Sequence, residues 1–190
     1  MSANATDKVS RAVAMAVGAE VCEVLDPVCE RWIVAGSIRR RRPMVGDVEI
    51  LYIPRFGDRQ VDLFTVASMS LADDAIESML RSGLLAKRAS RTGVFAWGDK
   101  NKLAVHQASG IGVDLFAATE ATWWNALVCR TGGAESNKRI ASRAIARGYH
   151  WNVYGPGFTQ AATGEVVPME SEEAVFEFVG LEYEEPWDRP

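Results

Sequence analysis

The sequence predicts an α+β fold: a mixed β-sheet flanked by helices, followed by a small C-terminal α+β subdomain. Three observations carry this expectation. Val9, Ala12, Val13, Ala16, Val17 and Val21 recur on one helical face. Apolar, β-branched runs bounded by turn residues cluster between positions 31 and 117. Beyond position 119, two helical stretches lead into short apolar runs and an acidic tail. The expected units are 1–118 and 119–190.

Taken in order, residues 8 to 26 read as a helix, and Asp26-Pro27 ends it. Strands are expected at 31 to 36 and 46 to 54, with Pro54 to Asp58 as a turn. Residues 60 to 65 are a strand or a loop. Ser70 to Ser82 is a helix with Ser70 as N-cap, Asp73 three residues on, and Gly83 past its end. Strands near 84 to 90, 94 to 98, 101 to 107 and 111 to 117 complete the sheet, with Gly98-Asp99 in a hairpin turn. Thr119 caps a helix running to Cys129. A second helix spans Ser136 to Arg147, with Ser136 as its N-cap and Gly148 at its end. The tail holds short strands and the helix Glu172 to Phe178.

With 190 residues and 48% hydrophobic content the chain can bury a real core, which excludes general disorder. Cys22, Cys29 and Cys129 lack metal-ligand spacing, and Cys22 and Cys29 read as core thiols on a helix. The polar, acidic start has no signal-peptide pattern, and no apolar run is long enough to span a membrane. The expectation is a cytoplasmic monomer. His106 and His150 lie in different segments, which argues against a histidine-based zinc site or triad. Net charge is −4, but the charge is unevenly placed. Arg39 to Arg42 form one basic block. Arg130, Lys138, Arg139, Arg143 and Arg147 form another, in which Arg139, Arg143 and Arg147 share a helical face and suit phosphate contacts.

The chemistry concentrates around a Gly-Ser turn. Gly36-Ser37 follows the apolar run Trp32 to Ala35, and nine residues later comes Asp47-Val48-Glu49-Ile50. Asp47 and Glu49 are two apart, so a strand projects both from one face. Asp114, in Gly112-Val113-Asp114-Leu115-Phe116, sits in a second apolar stretch able to pair beside the first. Three converging carboxylates make a hard oxygen site that suits Mg²⁺ and phosphates better than zinc. Gly36 lets backbone approach a phosphate, and Ser37 adds a hydroxyl and an amide. The expected reaction is two-metal phosphoryl or nucleotidyl transfer.

The string Gly36-Ser37-Ile38-Arg39-Arg40, then Gly46-Asp47-Val48-Glu49, resembles the palm motif of family X DNA polymerases, within the nucleotidyltransferase superfamily. Asp114 matches the third carboxylate. Thr131-Gly132-Gly133-Ala134-Glu135-Ser136-Asn137-Lys138 is similar to the element opening the family's nucleotide-selecting helix. Arg147-Gly148-Tyr149, Asn152-Val153-Tyr154 and the ending Tyr183 to Arg189 continue the match over roughly residues 30 to 190. The resemblance implies a nucleotidyltransferase palm in 1–118 and a nucleotide-selecting subdomain in 119–190. It implies that Asp47, Glu49 and Asp114 hold two Mg²⁺ ions, for which Mn²⁺ can substitute. Gly36, Ser37, Arg40, Gly46, Thr131, Gly132 and Asn137 would bind the deoxynucleoside triphosphate, and Lys138, with the arginines behind it, the DNA. The implied partner is gapped or primer-template DNA, and the implied activity is template-dependent gap filling in repair or replication.

Several positions depart from the family pattern. Glu49 stands where Asp is usual, and Gly112 where an arginine is usual, two residues before the third carboxylate. Cys129-Arg130 replaces two aromatics that check the sugar, which predicts weak discrimination against ribonucleotides, with Arg130 free to swing toward solvent or a phosphate. Ala134 is too short for a polar contact to the base. Nothing matches the lyase domain or the helix-hairpin-helix modules, so a reduced form is expected. Two alternatives stay open: a transferase that works without a template on a nucleic-acid end, a protein or a small molecule, and a nucleic-acid-binding remnant without activity.

Overall fold

The computed structural model describes residues 8–60, 65–90 and 92–190. β1 (Val9–Ser10) leads into α1 (Arg11–Leu25), whose N-cap Ser10 accepts a hydrogen bond from the Val13 amide. A single 3₁₀ turn, Asp26–Val28, connects α1 to β2 (Cys29–Val34). Cys29 therefore opens a strand and does not share a helix with Cys22, because the Asp26-Pro27 turn stops α1 first. Both thiols are buried as expected, and burial pushes Cys22 up to about 12 and Cys29 up to about 11. The short helix α2 (Gly36–Arg39) follows, then β3 (Met44–Val45) and β4 (Asp47–Pro54).

Pro54 to Asp58 is not a turn. β5 (Phe56–Gln60) runs antiparallel to β6 (Val66–Ser70). Arg55 donates its amide to the Val28 carbonyl and accepts from the Leu71 amide, which draws the chain straight on despite Pro54 and Gly57. The expected segment 60 to 65 lies outside the described residues at 61–64. Helix α3 (Leu71–Arg81) has the expected cap, with Ser70 accepting from the Asp73 amide and Gly83 at φ +78°. β7 (Leu85–Lys87), β8 (Asn101–His106) and β9 (Gly112–Ala117) follow. The strand expected at 94 to 98 is reduced to two isolated bridges, Ala89 with Phe95 and Trp97 with Lys102.

The main sheet has the order β2-β4-β9-β8-β7 and is mixed: β4 and β9 are parallel, the other neighbours antiparallel. Its two faces follow the strand period of two. Val48, Ile50, Tyr52, Val113 and Leu115 pack against Ala14, Val17 and Val21 of α1 and Ala72, Ile76 and Met79 of α3. On the other face Leu51, Ile53 and Phe116 pack against Trp123, Ala126 and Leu127 of α4 (Trp123–Thr131). Asp47, Glu49 and Asp114 share this second face, beyond the end that α4 covers.

Helix α5 (Ala134–Ala146) starts earlier than expected. Gly133 is extended and caps it, so Ser136 lies inside the first turn, buried, and is not the N-cap. β10 (Tyr149–Trp151), β11 (Gly157–Gln160) and β12 (Val166–Pro168) form an antiparallel sheet, and α6 (Glu172–Phe178) closes the chain's last core with Ser171 as cap. Val128 of α4 joins Ile140, Ala144, Phe158, Val175 and Phe176 in that core. Helix α4 thus belongs to both cores and couples them. Among the described residues no helix is long and apolar enough to cross a membrane.

Candidate active site

The parallel pairing of β4 with β9 sets Glu49 directly opposite Asp114, and Asp47 opposite Gly112. Neighbouring strands stand about 4.8 Å apart, so the three carboxylates face one small volume. Gly36 closes it from above at φ +58°, and a Cβ there would collide with the Glu49 carboxylate. Only glycine provides both that backbone angle and that room.

Glu49 is the electrostatic centre. Burial pushes its carboxyl up to about 7, the nearby charges of Asp47 and Asp114 push the same way, and Arg130 and Arg40 oppose them. Burial likewise raises Asp114, against the charge and hydrogen bond of Arg88, whose Nη2 donates to Asp114 Oδ1. Among the described residues no group of three or more His, Cys, Asp and Glu is already posed around a common metal position. The donor set nonetheless fits a hard divalent ion: three carboxylates, no thiolate, and buried like charges that a cation would relieve.

A folded-state acid raised in this way costs stability once it ionises. For Glu49 the cost is absent below its unfolded value near 4.5, grows as pH rises, and is complete above about 7. Glu49→Gln is therefore expected to stabilise the metal-free protein by about 3 kcal/mol at pH 8 and by nothing at pH 4. Urea unfolding at both pH values checks this, and saturating Mg²⁺ should shrink the gain. A gain that is equal at both pH values contradicts the assignment of Glu49 as the strained carboxylate.

A cleft of about 530 Å³ adjoins the carboxylates, lined by Lys8, Ser37, Arg40, Arg42, Gly46 and Asp47. Four of the residues expected to act on a nucleotide or metal thus come together: Ser37, Arg40, Gly46 and Asp47. Ser37 Oγ and Arg40 Nε are buried without a hydrogen-bond partner, which leaves them for a ligand. Lys8 lies outside the sequence motifs, and nothing in the sequence marks it. A larger hollow of about 650 Å³ lies over Leu51, Ile53 and Phe116, edged by Arg130, Lys100 and Tyr154 but also by Asp73, Asp99 and Glu120. Its mixed charge suits a polyphosphate less well than the basic cleft does.

The arginine block is mostly a joint. Arg39 donates to Thr131 Oγ1 (2.7 Å) and, through both terminal nitrogens, to Glu172 (2.8 and 2.6 Å). Arg40 donates to the Thr131 carbonyl and Arg42 to the Arg189 carbonyl, each at 2.5 Å, and Arg41 lies over Trp187. Thr131 is fully buried, so its hydroxyl serves Arg39 in this state. Asn137 Nδ2 donates to the Cys129 carbonyl at 2.9 Å, its Oδ1 is buried without a partner, and Gly132 leaves the room it needs. Arg130 does not swing toward solvent or a phosphate. It stacks on Phe116 at 3.7 Å and lies 5.4 Å from Tyr154, held by two rings and by attraction to Glu49. Among the described residues Lys138, Arg143 and Arg147 form no ion pair, whereas Arg139 pairs with Glu184 at 2.5 Å.

Trp123 is buried on the sheet side of α4. His106 is buried against Ser109 and Glu20, away from the carboxylates. No curated protein matches the chain. The family model of the DNA polymerase beta thumb matches residues 126–190, from within α4 to the last residue, and this match supports a relationship of the chain to beta-type, family X DNA polymerases.

Proposed function

We propose that the chain is a template-dependent DNA polymerase of the beta type, adding a deoxynucleotide to a primer 3′-hydroxyl. The observation that carries this reading is the pairing of Glu49 with Asp114, with Asp47 on the same face, beside a basic cleft built on Gly36-Ser37. The thumb match at 126–190 supports it independently. The palm would be residues 1–118 and the nucleotide-selecting part 119–190.

In this reading the 3′-oxygen attacks the α-phosphorus of the triphosphate. The bond to the bridging oxygen breaks and pyrophosphate leaves. Ser37, Arg40, Arg42 and Lys8 hold the triphosphate oxygens and the departing pyrophosphate. Asp114 keeps one oxygen on Arg88 and has the other to receive the hydroxyl proton. Mg²⁺ or Mn²⁺, held by Asp47, Glu49 and Asp114, would neutralise charge on the transferring group and orient the attacking and leaving oxygens. Single-nucleotide addition to gapped DNA tests the activity: the complementary nucleotide alone should be added opposite each template base. Addition indifferent to the template would favour the second reading, transfer without a template.

The cations of α5 give this reading its DNA grip. Arg143→Ala with Arg147→Ala is expected to weaken binding alike across sequences. It should also flatten the salt dependence by about one unit of slope for each phosphate that the variant no longer neutralises. Arg139, already paired with Glu184, should contribute less. An unchanged salt slope would show that this face meets only solvent.

A further inference from the structure

We propose that Arg88 is the positioning residue for Asp114, supplying from strand-edge position 88 the guanidinium that position 112 lacks. The inference rests on Asp47, Glu49 and Asp114 being the reacting site. Arg88 follows β7 and is fixed at three points. Its amide donates to the Leu103 carbonyl at 3.0 Å, its Nε to the Ala104 carbonyl at 2.9 Å, and its Nη2 to Asp114 Oδ1. The guanidinium thereby spans β8 and reaches β9, a strand that β7 does not pair with.

Gly112 makes this possible. A Cβ at position 112 would stand 3.2 Å from Arg88 Nε and 3.4 Å from Cζ, so any side chain there would press on the guanidinium. Residues 112 and 114 share one face of β9. A side chain at 112 would therefore enter the same space from β9 itself. Arg88 does two things at once. It fixes the carboxylate orientation of Asp114, and it places a positive charge against a site that must also attract cations. The charge competes with metal, while the orientation serves transfer.

These two effects have opposite signs, and that separates positioning from mere structural support. In folded Arg88→Ala, nucleotide-free Mn²⁺ binding, followed by electron paramagnetic resonance, should tighten, because one competing cation is gone. Turnover at saturating Mn²⁺ should fall about tenfold to a hundredfold, with KM for the nucleotide little changed. Arg88→Lys keeps the charge but loses the planar fork, so Mn²⁺ affinity should stay near wild type while turnover still falls. It also serves if Arg88→Ala fails to fold, as judged by its melting curve. Arg88→Ala combined with Gly112→Arg should bring turnover back toward wild type. Turnover within twofold of wild type in the folded single variants, or Mn²⁺ binding that does not tighten in Arg88→Ala, overturns the proposal. If the wild-type protein transfers no nucleotide, the reaction proposed above fails, and the Mn²⁺ comparison still decides the role of Arg88.

Discussion

Asp114→Ala is expected to abolish nucleotidyl transfer while leaving triphosphate binding nearly intact. The carboxylate is not among the groups lining the basic cleft, which Lys8, Ser37, Arg40 and Arg42 dominate. Its loss removes a charge on the reacting face of β9 and an acceptor for the 3′-hydroxyl proton. Loss of about a thousandfold in turnover, or on the order of 4 kcal/mol of transition-state stabilisation, is the expected scale. Because alanine also leaves the Arg88 guanidinium without its acceptor, Asp114→Asn serves as the control for folding. Nucleotide affinity by calorimetry and single-turnover transfer separate the two effects. Near-normal turnover by either variant would remove Asp114 from the site.

The largest expected effect on stability lies at the joint. Glu172 is 5% exposed and Arg189 is fully buried. Glu172 accepts from Arg39 on both oxygens and from Arg189 Nη1 at 2.9 Å. Burial alone would raise the Glu172 carboxyl, but hydrogen bonds from Arg39 and the charges of Arg189 and Arg39 outweigh it and hold the group below its usual range. Glu172→Ala strands two cations, one of them with no access to water. Breaking a buried pair in this way costs about 3 to 5 kcal/mol, and the melting temperature should fall by roughly 10 °C for a chain of this size. The contribution is present above the unfolded carboxylate value and is lost as pH falls through the lower folded one. The gap between wild type and variant should therefore narrow in acid. A loss under about 1 kcal/mol would show that the joint is held by its apolar cores instead.

That joint is the least legible part of the sequence. Arg39 to Arg42 read as charge for phosphates because adjacent arginines beside carboxylates suit that purpose. Nothing local announces that Arg39 reaches Glu172, 133 residues away. The ending at Arg189 is visible as a motif, but not as the residue that shares Glu172 with Arg39. The sheet is legible because Val48, Ile50 and Tyr52 alternate with Asp47, Glu49 and Leu51, and one face has to be buried. The caps at Ser70 and Ser171 follow from local hydrogen bonding alone. Ser136 misleads for the opposite reason. Gly133 has no side chain with which to announce a cap, so the nearest serine marks the start of α5 too late. Gly112 does carry a signal, a missing arginine, but its complement at Arg88 becomes visible only when β7, β8 and β9 lie side by side.

In the proposed reaction three carboxylates act together on a pair of divalent ions. Counting bound Mn²⁺ by electron paramagnetic resonance, in the presence of a non-hydrolysable deoxynucleoside triphosphate, tests this most directly. The expected result is two ions per chain in the wild-type protein and one after Asp114→Ala, with the nucleotide bound in both. Fewer than two ions in the wild type at saturating nucleotide, or a count that Asp114→Ala leaves unchanged, would contradict it.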